Sequence, residues 1–196
     1  MCDLAFSGKS SVAAILTREL KAQLISLDAI NDERGLRGGV GMSDRQWEET
    51  SAIAMDRLAA LVQQGRSVVV DDTFSHHFLR DRCKHVAHEN GSRFLIIFMD
   101  TSLAEIETRR LTNDRRPVRH RIRDEVFWHH RDRFQFPTDD EPVVRIRHAG
   151  DIEDLISCGK GSLARERASL AGDEYPALCV KQDGALVGDH GFHILQ

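Results

Sequence analysis

The stretch Phe6-Ser7-Gly8-Lys9-Ser10-Ser11 decides how this chain is read. Gly8-Lys9-Ser10 matches the second half of a phosphate-binding loop, G-x-x-x-x-G-K-[ST]. In such a loop, backbone N–H groups cradle phosphate oxygens, the lysine neutralises charge and the hydroxyl holds Mg²⁺. Two features set this copy apart. Where the pattern asks for its first glycine, five residues before Gly8, the sequence has Asp3. The strand that should lead into the loop has only Met1 and Cys2 to form it.

Working outward, Val12, Ile15, Leu16 and Leu20 recur at the spacing of a one-faced amphipathic helix. The loop therefore opens a helix, whose unpaired first N–H groups and positive dipole end suit an anion. Leu24 to Leu27 is a short apolar run ending in Asp28, a buried strand with a carboxylate at its C-terminal edge. Residues 34–43 hold four glycines and form a loop by composition. A helix from Asp44 stops at Gly65. A strand over Ser67–Val70 leads into Asp71-Asp72-Thr73, and a helix over about residues 75–90 stops at Gly91. A continuous apolar strand, Arg93–Met99, precedes a helix from about Ser102. Pro117 breaks an arginine-rich stretch that resumes as a helix through Phe127 and His130. Val143–Ile146 is a last strand and Asp151–Ile156 a last helical turn or two. Alternating strands and helices predict an α/β fold, a parallel sheet covered on both faces.

The 196 residues suit one domain, complete near residue 157, with residues 158–196 read as an irregular, poorly ordered C-terminal tail. Hydrophobic residues make up 41% and charged residues 30%, and no run approaches the roughly 18 apolar residues of a membrane span. With no secretory leader visible, a cytoplasmic protein is expected. Cys2, Cys83, Cys158 and Cys179 lie far apart, the pattern of reduced, structural thiols rather than zinc ligands. A net charge of −4 argues against general binding to duplex nucleic acid. Yet Arg109, Arg110, Arg115, Arg116, Arg119, Arg121, Arg123, Arg131 and Arg133 crowd one segment, a local field suited to a small anionic ligand.

The candidate site follows from these placements. Lys9 would reach the β- and γ-phosphates, Ser10 would hold Mg²⁺, and Ser11 would add a hydroxyl near the α-phosphate. Asp71 and Asp72 end a strand, as a Mg²⁺-binding acid does. Adjacent strand residues face opposite ways, so one can serve the metal and the other cap the next helix; Asp71 is favoured for the metal. Asp28 is the candidate general base, with Asp32 and Glu33 as nearby substitutes and a helix N-cap as its alternative role. The arginines around Pro117, Arg116 and Arg119 foremost and Arg115 next, are either a solvated face or a lid that closes onto the γ-phosphate. The ten histidines lack a ligand spacing and are read as surface residues. Trp47 and Trp128 are expected in core or lid packing.

Taken in order, Phe6-Ser7-Gly8-Lys9-Ser10-Ser11, Ile25-Ser26-Leu27-Asp28, Val68-Val69-Val70-Asp71-Asp72-Thr73 and the Arg110–Asp124 stretch ahead of Phe134-Gln135-Phe136-Pro137 resemble the P-loop kinase-like AAA-type ATP-binding proteins. That group is similar to zeta toxins, the kinase part of polynucleotide kinases and antibiotic phosphotransferases. The resemblance spans about residues 3–157. It implies a three-layer α/β/α P-loop NTPase fold with a mostly parallel sheet and an arginine-rich helical lid over about 109–134. It also implies transfer of the ATP γ-phosphate to a hydroxyl of a small molecule or nucleic-acid end. Ser7, Gly8, Lys9, Ser10 and Ser11 would bind ATP, Ser10 and Asp71 Mg²⁺, and Asp28, Lys9, Arg116 and Arg119 would act in transfer. An ATP-hydrolysing switch without an acceptor, or a non-catalytic remnant, is the alternative.

The first strand is the main departure. A central strand would bury three or four side chains at about 1.5–3 kcal/mol each, on the order of 5–10 kcal/mol against a domain stability of about 5–15 kcal/mol. A missing or truncated first strand is therefore expected to weaken the fold, with translation starting upstream or the chain a decaying copy. Asp3 adds a carboxylate near the triphosphate.

Overall fold

The computed structural model describes residues 1–36, 41–147 and 150–152. The elements run α1 (Lys9–Glu19), β1 (Gln23–Ser26), α2 (Leu27–Glu33), α3 (Asp44–Gln63), β2 (Val68–Asp71), α4 (His77–Glu89), β3 (Ile96–Met99), α5 (Leu103–Arg115), α6 (Asp124–Asp132) and β4 (Val143–Ile146). Strand and helix alternate as the periodicity predicts. The expected tail, residues 158–196, and most of the helix expected from Asp151 lie outside the described residues.

β1 pairs with β2 and β3 with β4, each pair parallel. The Met1–Asp3 segment lies between the pairs. Cys2 N–H donates to Ile97 O at 2.8 Å and Cys2 O accepts from Met99 N–H at 3.0 Å, a parallel bridge to β3. On the other side the Met1 amine donates to Val70 O at 2.7 Å, and Asp3 N–H to Thr73 O at 3.2 Å. The spatial order is thus β1, β2, the Met1–Asp3 segment, β3, β4. Among the described residues a single bridged residue, Cys2, links the two strand pairs.

Side chains alternate across this sheet because successive strand residues face opposite ways. Met1, Val69, Ile97, Met99, Val144 and Ile146 pack with Val12, Ala13 and Leu16 of α1. Cys2, Ile25, Ile96 and Phe98 face a second core made with Ile30, Ala54, Leu58, Val62, Cys83 and Phe127. The three-layer α/β/α arrangement follows from that alternation.

β4 spans the expected Val143–Ile146, while the other strand boundaries differ from the expected ones by a residue or more. β1 stops at Ser26, whose hydroxyl caps α2 by accepting from Ala29 N–H at 3.3 Å. Asp28 therefore lies within the first turn of α2, and the N-cap role falls to Ser26. β3 begins at Ile96 rather than Arg93. Ser43 and Gln46 form a reciprocal capping box that starts α3, and Gly65 and Gly91 turn with φ of 68° and 66° just past α3 and α4. Cys2 and Cys83 are free and buried, and burial pushes their thiols up to about 11 and about 12, so both stay protonated. Cys158 and Cys179 lie outside the described residues.

A buried ion pair ties the far side of the sheet together. Arg80 of α4 donates from Nε and Nη2 to the two carboxylate oxygens of Glu141 at 2.7 and 2.8 Å. Its Nη1 donates to Phe74 O and Gln135 O, both at 2.9 Å. Burial alone would push the Glu141 carboxyl up, but hydrogen bonds from Arg80 and Thr138 N–H outweigh it and hold the group below its ordinary value. Removing one partner strands the other charge, so Arg80→Met or Glu141→Gln is expected to cost about 3–5 kcal/mol in urea denaturation. The double variant Arg80→Met/Glu141→Leu should recover only part of that loss, because the Arg80 hydrogen bonds to Phe74 O and Gln135 O stay lost. A single-variant loss below about 1 kcal/mol would contradict this role.

Candidate active site

The phosphate-binding loop leaves the sheet at Asp3 and ends at α1. Gly8 sits at φ 105°, a backbone conformation that L side chains rarely adopt, and a Cβ there would lie 3.3 Å from Arg109 Nη1. The first N–H groups of α1 have no partner within the helix, so the turn at Gly8-Lys9-Ser10 offers them to an anion. Lys9 is buried, and its ammonium donates to Leu4 O across the loop at 2.7 Å. Burial pushes the Lys9 pKa down, while Asp71, Asp3 and Asp72 pull it back up. Ser10 and Ser11 are exposed at the mouth, and Ser7 is buried beneath it.

Around this loop the strand ends deliver acids. Asp71 ends β2 in register with Ser26 of β1, which lies two residues before Asp28. Asp28 opens toward solvent but is crowded by protein. Burial raises its pKa, Arg119 lowers it, and Asp72 and Asp71 raise it again. A carboxylate raised in this way is better matched to taking a proton. Asp72 Oδ2 accepts from Phe74 N–H at 3.1 Å and so stabilises the turn after β2. Asp71 is left as the carboxylate better suited to a cation. Exposed Ser10 and half-buried Asp71 are hard oxygen donors beside the phosphate loop, a set that fits Mg²⁺. Among the described residues no cluster of three or more His, Cys, Asp or Glu forms a metal site by itself.

The arginine-rich segment divides. Arg109 turns inward from α5 and donates to the loop carbonyls Ser7 O and Phe6 O. Arg110 is buried, pairs with Asp124 Oδ1 at 2.6 Å and stacks over Phe127, which joins α5 to α6. Arg119 lies on the exposed loop after α5, its guanidinium 4.7 Å from the Phe6 ring centroid, and its charge is felt at both Lys9 and Asp28. Arg115 and Arg116 are exposed at the end of α5, where Arg116 is the C-cap. Trp47 is partly exposed, and Trp128 packs edge-on against Phe127.

Sequence reasoning missed two residues. His130, read as a surface histidine, is half-buried; burial lowers its pKa, Asp72 raises it, and Lys9 and His76 lower it further. Its spacing of three from buried Phe127 is the one signal that could have placed it inward. The role of Arg109 at the loop was likewise unmarked, being one arginine in a run.

The order of the strands, the loop at the C-terminal edge of a parallel sheet and the acids beside it define the P-loop α/β/α fold. The family model described as AAA domain matches residues 1–137, and the chain belongs to that family. No curated protein matches it. Among solved structures it is similar to a gluconokinase from Sinorhizobium meliloti 1021, with a TM-score of 0.61, 19% identity, 87% of this chain and 95% of that one. It is also similar to the APS kinase CysC from Mycobacterium tuberculosis in complex with AMPPNP and APS, with a TM-score of 0.57, 22% identity, 80% of this chain and 94% of that one. A sugar kinase from Janibacter sp. HTCC2649 gives 0.56 at 16% identity, over 85% and 94% of the two chains. At these identities the likeness is one of fold. Among the described residues no helix is long and apolar enough to cross a membrane.

Asp3 occupies the position of the first loop glycine with φ 146°, within the region that favours glycine, and is 3% exposed. Its Oδ1 accepts from Leu4 N–H at 2.7 Å. Burial raises its pKa to about 6; the Leu4 N–H, Lys9 and Ser7 work against the rise, and Asp100 adds to it. The folded protein therefore holds a proton at Asp3 that the unfolded chain releases. The associated stability is fully present below the ordinary carboxylate pKa and is lost as pH rises through about 6. Asp3→Asn keeps the shape without the charge. It is expected to match the parent near pH 4 and to exceed it by on the order of 2 kcal/mol at pH 7.5 in urea denaturation. A difference that does not change with pH would contradict this.

Proposed function

We propose that this protein is an ATP-dependent phosphotransferase that moves the γ-phosphate of ATP to a hydroxyl of a small molecule or nucleic-acid end. One observation carries the reading: Lys9, Asp28, Asp71, Asp72 and Arg119 converge on the Gly8-Lys9-Ser10 turn, at the C-terminal edge of a parallel sheet. Ligands gather at that edge in open α/β sheets. The kinase names of the similar folds support the same class.

The triphosphate would lie along the N-terminus of α1. There Lys9, which in the present structure donates to Leu4 O, is placed to turn to the β- and γ-phosphates. Ser10 Oγ and the Asp71 carboxylate would hold Mg²⁺, which would supply charge neutralisation at the triphosphate. The acceptor hydroxyl is brought to the mouth of the site, where Asp28 takes its proton. Its oxygen forms the new bond to the γ-phosphorus as the bond to the β,γ-bridging oxygen breaks, and ADP leaves with that electron pair. Arg119, and Arg116 if the loop after α5 closes, would meet the charge on the transferring group. Ser7, Gly8 and Ser11 complete the loop around the phosphates. A soluble cytoplasmic setting fits this chemistry.

Two variants test the reading. Lys9→Ala should remove the thermal shift that Mg-ATP gives the parent chain. Asp28→Asn should lower transfer by about 100-fold or more while leaving that shift in place. Full transfer by Asp28→Asn would reject it as base. ATP turnover that only ever labels inorganic phosphate, whatever hydroxyl compound is supplied, would replace the kinase by a hydrolysing switch.

A further inference from the structure

The position of Arg109 is not explained by its neighbours in the arginine run. Most of those project to solvent, whereas Arg109 is drawn under the phosphate-binding loop. Its Nη1 donates to Ser7 O at 2.8 Å and to Phe6 O at 3.2 Å, and its Nη2 to Glu105 Oε1 at 2.5 Å. Thr101 Oγ1 donates to Ser7 O as well, at 3.0 Å. Thr101, Glu105 and Arg109 are spaced four residues apart, so they share one face of α5 and its approach. That face is turned to the loop from below.

We infer that Arg109 is a positioning residue for the phosphate site: with Thr101 it pins the carbonyls of Phe6 and Ser7 away from the bound phosphate, so that the Gly8 N–H faces it. A peptide unit cannot turn its C=O outward without turning the next N–H inward, because the unit is planar. The Ser7 N–H is itself committed to Leu4 O at 3.4 Å, so holding Ser7 O fixes the one free N–H of the two, that of Gly8. The chain has particular need of this restraint. Phe6 sits at φ 68° without being glycine, and Asp3 stands where the pattern has a glycine. Both leave the loop backbone in conformations that side chains disfavour and that outside contacts must hold. Contact between Gly8 and Arg109 is close enough that a Cβ on Gly8 would sit 3.3 Å from Nη1, which gives the glycine a second reason to be there. Glu105 holds the guanidinium plane at its far end and offsets part of its charge, so the group works through direction more than through charge.

This inference rests on the phosphate-binding reading, and its test separates the two. In the chain without ligand, amide hydrogen exchange over residues 4–10 should rise about tenfold or more in Arg109→Met, with the strands and α3 unchanged. Unaltered protection there would overturn the clamp, whatever the chain binds. Next, affinities are measured for Mg-ATP and for Mg-tripolyphosphate, which has no base or sugar. Both Arg109→Met and Arg109→Lys should weaken both probes by about tenfold or more. Lysine keeps the charge but loses the fork. If Arg109→Lys binds like the parent, simple charge attraction replaces the clamp. If only Mg-ATP is weakened, Arg109 acts on the nucleoside and the inference is wrong. Should Arg109→Met not fold, Thr101→Val removes the second donor to Ser7 O and is expected to raise exchange over the same residues. A parent chain that binds neither probe refutes the phosphate-binding reading, and the exchange result still decides the clamp.

Discussion

The Met1 amine and the peptide groups of Cys2 and Asp3 hold the molecule together. Each faces one of the two strand pairs: Cys2 is bonded to β3 through both its N–H and its C=O, while Met1 and Asp3 reach Val70 O and the Thr73 carbonyl just past β2. Without them the described strands are two separate two-stranded ribbons, and isolated pairs of that kind are marginal in water. The same three residues set the starting point and direction of the phosphate-binding loop. Fold and site therefore share one seam. Side-chain burial reinforces it, since Met1 enters one core and Cys2 the other.

Charge around the loop is balanced by groups from distant parts of the chain. Lys9 is buried among Asp3, Asp71 and Asp72, and Asp28 feels Arg119 before it feels Lys9. Acids from the Met1–Asp3 segment, the first turn of α2 and the end of β2 thus face cations from α1 and from the loop after α5. Under the phosphotransferase proposal a triphosphate would meet Lys9 and Arg119 among these acids. Arg119 rests on the Phe6 ring.

Local pattern made most of this legible. Gly8-Lys9-Ser10 followed by a 3.6-residue period announces its own helix, and the Val68–Asp71 run announces a strand with an acid at its end. The position of Asp28 shifted from strand edge to helix turn because Ser26, two residues earlier, is the better N-cap. The Arg80–Glu141 pair was not legible, since its members are 61 residues apart and neither carries a local signature. Nor was the division of the arginine run. Arg109, Arg110 and Arg119 look alike in sequence. Helix phase and the packing partners Ser7, Asp124 and Phe6 are what send them to a loop carbonyl, a buried ion pair and an aromatic face.

Cys2 turns the seam into something that can be timed. Its sulfur is buried against Phe74 O, and its thiol stays protonated well above neutral pH, so a thiol reagent reaches it only when the Met1–Asp3 segment lifts out from between β2 and β3. Cys83, beside the Met55 sulfur, shares the core that Cys2 enters, and its thiol feels the Met1 amine. The molecule carries, in its second residue, a chemical clock for the contact that keeps its halves joined.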